Sequence, residues 1–457
     1  MGPDSDILKK ISEYTLSLQL NEISDDVKWL AKRCLIDVFG VILAGTKTHS
    51  AKVLQGLAYK NYSLGNCDIL GSNTKLNPAG AAFANSSSAH ALDFDDNCYA
   101  GIVHGSAVVF PSVLAMAQER NLNGKDLLLG FIAGLEVELT IAKALSNSIY
   151  DKGWWTTSML GAIGSAAGAA KIAGLDSKTI KNALSLAAVG CGATRAVRGT
   201  SAKHFYCGRA AESGVTAVFA AMEGITGPAN VFQDNDGIAE VLNDGFFDVR
   251  PFENLGTEYC IANPGIDLKK YPVCFASHSC IDAVKEICEN NKFKSSDVAS
   301  INCLVPPVVA TNLTYHEPKN VAEAQFSLNF AIATILLHGD LKLENLFSEP
   351  LFGPITKTVA HKVKMKVGGV PKKFRNSKNI CPEWGYVELT TKDGSRKCKF
   401  VGSPLGSASF PMSKELLKQK FEDCCDYGGF SASAEKLYKQ ISQIELLSDT
   451  RDLMLGL

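Results

Sequence analysis

The chain has 457 residues, 46% of them hydrophobic and 20% charged, with 46 basic against 47 acidic side chains. That length corresponds to about three domains at roughly 150 residues each, or to two large ones. The near-zero net charge excludes a nucleic-acid binder driven by bulk charge and a polybasic membrane arm, and the high apolar content excludes low-complexity disorder.

The opening stretch, MGPDSDILKK, carries acids and lysines without the apolar segment of a signal peptide or the Arg-rich texture of a transit peptide, which predicts a cytoplasmic protein. Ser24 reads as the N-cap of a helix over about 25–44, with Val27, Leu30, Ala31, Cys34, Leu35 and Val38 on one face and Gly45 as its stop. Asn123-Gly124 opens a second apolar helix, about 125–145. Neither Cys34–Gly45, interrupted by Asp37, nor Leu127–Leu135, closed by Glu136, reaches the ~20 apolar residues of a membrane span. A third helix, about 157–173, contains GAIGSAAGAAKIAG and ends at Gly174. Gly161, Gly164, Ala167 and Gly168 recur at helical spacing, which predicts close backbone packing inside a bundle. A phosphate-binding loop would need a strand before it, and KGWWTTSML is a poor strand. Asp176 or Ser177 caps the next helix, which carries Ile180, Ala183, Leu184 and Ala187.

The texture changes after about residue 265. Val298–Val305 alternates and closes at Pro306-Pro307; Ala360–Val367 alternates apolar with basic. Tyr386–Thr391 and Lys397–Val401 flank Asp393-Gly394, a hairpin signal. One helix, about 321–338, lies between the strands. KELLKQKFEDCC and AEKLYKQISQI then return to helical periodicity. The expected architecture is mainly α with an inserted α+β domain: a large all-helical domain formed by both chain ends, 1–267 and 403–457, and a smaller α+β domain, 268–402. The 14 cysteines have no zinc-ligand spacing and read as small buried hydrophobes.

Three stretches carry polar chemistry. HALDFDD, 90–96, crowds Asp93, Asp95 and Asp96 together, with His104 following. Such carboxylates serve acid–base work with a histidine or divalent-metal binding; the plain alternative is a solvated helix end. A DxDD string also marks alkene-protonating terpene cyclases, but those line their cavities with aromatics, which are only 8% here. A basic run follows: Arg195, Arg198, Lys203, His204 and Arg209, with no acid between Ala193 and Ala211. Arg forks and a Lys at a loop-to-helix entry suit a small polycarboxylate; the alternative is a solvated basic face. The third is KYPVCFASHSCIDA, whose His278 follows the domain boundary.

Taken in order, CLIDVFGVILAG, AHALDFDD with its later His, GAIGSAAGAAKIAGL, KHFYCGRAAESGVTAVFAAMEGITGP, YPVCFASHSCIDA and EAQFSLNFAIATILL make the chain resemble the MmgE/PrpD family over nearly its whole length. The resemblance implies a helical domain built from both ends with an α+β lid, a homodimer, and no cofactor. It implies chemistry of the 2-methylcitrate dehydratase, cis-aconitate decarboxylase or iminodisuccinate epimerase kind, all proton transfers beside a carboxylate in a small acid. Carried over by position, Asp93, His104, Lys203 and, more weakly, Tyr150 are the catalytic candidates. His278 joins Asn97, Trp155, Tyr206 and Phe330 as substrate-binding candidates, with no metal ligand and no nucleic-acid or membrane partner. The chain departs from the family pattern at Asn97 (usually Thr), Cys98 (often His), Trp155 (usually His, in GWWTT), Tyr206 (often His) and Phe330 (Tyr in decarboxylase-type members). Most of these changes are to larger or less polar groups, so a substrate other than cis-aconitate or 2-methylcitrate is expected. A scaffold turned to a less charged metabolite, or a non-catalytic binding protein, are the alternatives.

Overall fold

A computed structural model describes residues 6–190, 192–346 and 353–456. The first five residues, read above for targeting signals, and Cys191 lie outside them. The chain divides into two units. The first comprises Met1–Val197, Ser201–Ile266 and Lys414–Leu457, the second Arg198–Thr200 and Asp267–Ser413. The protein is mainly helical with an α+β part.

The first unit is a helical bundle with one short antiparallel ribbon, Leu64–Asp68 against Lys75–Leu76. Helix Asp25–Gly45 starts where Ser24 accepts a hydrogen bond from the Val27 amide, with Asp25 and Asp26 complementing the helix dipole. Gly45 is its last residue, but for a different reason from the expected stop. A Cβ there would stand 2.0 Å from the Ser88 carbonyl oxygen, so the glycine permits a backbone crossing over helix Pro78–His90. The small-residue helix, Thr156–Ile172, is buried as its sequence implies. A Cβ on Gly164 would lie 2.9 Å from the Gly134 carbonyl, and one on Gly168 would lie 2.7 Å from that of Gly130. Glycines on both helices therefore let Thr156–Ile172 and Gly124–Leu145 touch backbone to backbone. Gly174, at φ +69°, ends the former, and Asp176 caps Ser177–Val189. Helix Ala202–Met222 lies equally close to Pro78–His90: a Cβ on Gly208 would meet Phe83 O at 2.7 Å. The segments Lys414–Gly428 and Ala434–Ser442 are helical, as periodicity predicts, and fall in this unit.

The second unit is built on a four-stranded sheet ordered Val363–Val367, Val298–Val305, Gly385–Thr391, Arg396–Val401. The first pair is parallel (Ile301 opposite Val363) and the others antiparallel (Cys303 opposite Val387, Tyr386 opposite Phe400). The alternating strand and the Asp393-Gly394 hairpin are thus present. Helices His278–Asn291 and Leu328–His338 contribute to the same apolar core as Val298, Ile301, Cys303 and Val305. Two expectations need correction. The alternation over Ala360–Val367 is only partly strand: Ala360 ends helix Pro354–Ala360, and the Lys362 amide bonds Val359 O before the strand begins at Val363. The helix over 321–338 is two: Val321–Ala324, then Leu328–His338, restarted by Ser327 accepting from the Phe330 amide. Between them the carbonyls of Gln325 and Phe326 accept from Cys274 and Tyr315 instead of continuing the helix.

Candidate active site

Asn77 caps helix Pro78–His90 through the Gly80 amide, and the helix ends at His90. The chain then leaves regular structure until His104, the N-cap position of Gly105–Glu119. Asp93 sits in the left-handed region (φ +48°), a conformation Asp tolerates better than most residues. Paired backbone bonds between Cys98 and Val103 close the segment. His90, Asp93, Asp95, Asp96 and Asn97 are all buried, so the solvated-helix-end reading does not hold.

Burial on this scale requires partners. Lys203, the second residue of Ala202–Met222, supplies the first: its Nζ lies 2.6 Å from Asp93 Oδ1 and 2.7 Å from His90 Nε2. His90 Nδ1 is 2.7 Å from Asp95 Oδ2. Asp96 accepts from the Ser106 amide and hydroxyl. Burial, and then the Asp95 and Asp37 charges, still push its carboxyl up to about 7. Glu138, buried in Gly124–Leu145, is held well above the carboxylate range by burial and then by Asp96. His104 donates from Nδ1 to Asp96 O at 2.6 Å, and its own amide is fixed by Thr157 Oγ1. Because a carbonyl only accepts, any acid–base work of His104 falls to Nε2. Its ring lies 4.7 Å from that of His90, and Trp155 lies 5.5 Å from His90 with Lys203 Nζ 5.7 Å from the indole. His204 is held down to about 3, chiefly by burial and then by His90 and Lys203.

The structure thus gathers Asp93, His104, Lys203 and Trp155 in one cluster. Tyr150 is buried in the same unit under the Arg195 guanidinium, 4.0 Å from the ring centroid, and its carbonyl accepts from Arg195. Asn97 is buried beside Cys98, whose thiol donates to Gly265 O. Tyr206 shares a helix with Lys203 but is exposed, its ring edge-on to Phe205. His278 and Phe330 belong to the second unit. His278 donates from Nε2 to Val273 O and packs between Tyr271 and Phe275. Phe330 borders a cavity of about 300 Å³ also lined by His316, Lys319, Lys357 and His361. Arg198 of the basic run also belongs there, bonded to Thr311 O and Asn312.

Sequence reasoning did not single out His90 or Glu138. The signals were a histidine abutting an acidic cluster and an acid midway along an apolar helix. His90, Asp95 and His104 also bring three donor atoms within 4.8 Å of one another, a spacing that could hold a metal ion, with both His90 nitrogens here engaged by Asp95 and Lys203. Among the described residues no helix is long and apolar enough to cross a membrane, and no cysteine is in a disulfide.

The chain is similar to cis-aconitate decarboxylase of Homo sapiens (27% identity, covering 97% of this chain and 93% of the relative), of Mus musculus (26%, covering 94% and 89%) and of Aspergillus terreus (24%, covering 97% and 93%). The MmgE/PrpD N-terminal domain matches residues 9–248 and the MmgE/PrpD C-terminal domain residues 271–445. With both halves matched in order, the chain belongs to the MmgE/PrpD family.

Proposed function

We propose that this protein is a lyase of small carboxylic acids that holds a substrate carboxylate at Lys203 and moves a proton at the neighbouring carbon with His104. The observation that carries this reading is the buried Lys203 ammonium, seated between Asp93 and His90 with the His104 ring alongside. A cation in a site of low dielectric stabilises charge developing on a carboxylate far better than one in water. Decarboxylation, the reaction named for the relatives, fits this layout. The bond from carbon to the departing CO₂ breaks, its electron pair stays on carbon, and that pair takes the proton from His104 Nε2. Dehydration uses the same two groups. Epimerisation needs an acid or base on each face and would draw on Tyr150 of the same unit. The same reading carries the family expectation of a homodimer working without a cofactor.

Trp155 favours a narrower substrate. An indole next to Lys203 and His90 fills volume and offers an apolar wall to which a third carboxylate could not be paired. The substrate is then a mono- or dicarboxylic acid with an apolar portion, with Asn97 as a further contributor to its selection and Tyr206 at the margin.

Proton NMR in deuterated buffer tests both parts, using itaconate, cis-aconitate, citrate, 2-methylcitrate, iminodisuccinate and a set of less charged acids. Turnover or deuterium uptake with a less charged acid, abolished in H104A, is expected. Ordinary turnover of cis-aconitate or 2-methylcitrate would refute the narrowing by Trp155. Silence across all acids would refute the enzyme reading.

A further inference from the structure

We infer that His90 and Asp95 form a positioning dyad for Lys203: Asp95 fixes the tautomer of His90, and His90 fixes the direction in which the Lys203 ammonium donates. The inference rests on the proposed function for the class of ligand, a carboxylate, but its geometry stands apart from it.

The chain of bonds leaves one consistent assignment. A carboxylate oxygen only accepts, so the 2.7 Å contact from Asp95 Oδ2 places the ring hydrogen of His90 on Nδ1. A second ring hydrogen, on Nε2, would set two donors against each other across the 2.7 Å contact to Lys203 Nζ. His90 Nε2 therefore presents a lone pair, and the group facing it at 2.7 Å is an N–H donor, Lys203 Nζ. The same ammonium gives another hydrogen to Asp93 Oδ1. Those two bonds fix how the ammonium is turned about the Cε–Nζ axis.

This is the orienting logic of a carboxylate–imidazole pair behind a working group, with a cation as the third member. It also separates the two neighbouring imidazoles. His104 is oriented by a backbone carbonyl, that of Asp96, and His90 by a side-chain carboxylate. The first suits proton transfer. The second has one nitrogen committed to Asp95 and the other to Lys203, so it positions and does not react. Helix packing supports the alignment, because the close approach at Gly208 sets Ala202–Met222 against the helix that ends in His90.

Long-range proton–nitrogen correlation of the histidines in the full-length protein, with His90 assigned by H90Q, tests the tautomer without any substrate. Neutral His90 with hydrogen on Nδ1, lost or mixed in D95N, is expected. Hydrogen on Nε2, or a D95N spectrum like the wild type, overturns the dyad. Calorimetric binding of itaconate then reads the consequence. H90Q keeps an amide oxygen for Lys203 and should bind nearly as the wild type, whereas H90F and D95N should lose about tenfold or more. Equal affinity in H90F, or stoichiometric zinc bound by the wild type and lost in H90Q, also overturns it. If H90F does not fold, the D95N tautomer and affinity decide. If no acid binds even the wild type, the proposed function fails, and the tautomer measurement still judges the dyad.

Discussion

Strands Val298–Val305 and Gly385–Thr391 bury side chains that are apolar almost throughout, whereas the segment from His90 to Asp96 buries a histidine and three carboxylates. In the sheet the ladder satisfies the backbone, and each apolar side chain adds roughly in proportion to the area it removes from water. In the segment the backbone is irregular, and the side chains are stable only through named partners. Lys203 reaches it from Ala202–Met222. Lys420 reaches it from helix Lys414–Gly428, bonding both Asp37 and the Phe94 carbonyl. The apolar core is forgiving because its energy is spread over many contacts. The polar cluster is specific because its energy is concentrated in a few.

The sharpest way to break the comparison is to cut the lysines. K203M and K420M each strand a buried carboxylate and should each cost about 3–5 kcal/mol in denaturant titrations. Only K203M should also abolish carboxylate binding by calorimetry, and equal loss in both would mean that Lys203 is merely structural. I301A in the sheet should cost about 2–5 kcal/mol by cavity formation, leaving ligand affinity per folded molecule unchanged. G164A should cost about 1–3 kcal/mol, because its Cβ would stand 2.8 Å from Glu138 Cβ and 2.9 Å from Gly134 O.

The smallest change at pH 5 is that of D96N. Asp96 titrates near 7 in the fold but at about 3.9 when unfolded, so the folded state binds its proton more tightly. The stability this contributes is present below the unfolded value and is lost as pH rises through about 7. Melting temperatures of D96N should therefore gain on the wild type between pH 5 and pH 8. A constant difference would show that Asp96 is ionised throughout.

Much of the fold was legible. Ser24 and Asp176 cap their helices, Gly174 stops one, and the glycines of Thr156–Ile172 mark a buried crossing. The errors fall where tertiary partners override local pattern. Gln325 and Phe326 interrupt a helical run because their carbonyls serve other segments, and Ala360 ends a helix although its surroundings alternate like a strand. At the site, the acidic cluster and Lys203 were visible as charges that composition does not explain. His90 was not, because a histidine becomes an orienting group only when two partners flank it, and one of them is 113 positions away.

Taken alone, the amino-acid order determined the capped helices and the Asp393-Gly394 hairpin, where the acids and the basic run lie, and which family pattern they follow, since these depend on neighbours within a turn or two. Tertiary structure decided which carboxylate takes which partner: Asp93 the lysine, Asp95 the histidine, Asp96 the serine. Three aspartates within four positions are equivalent in sequence and in water. They become different only when a buried, irregular backbone turns each toward a different donor, and burial then makes each pairing costly to exchange.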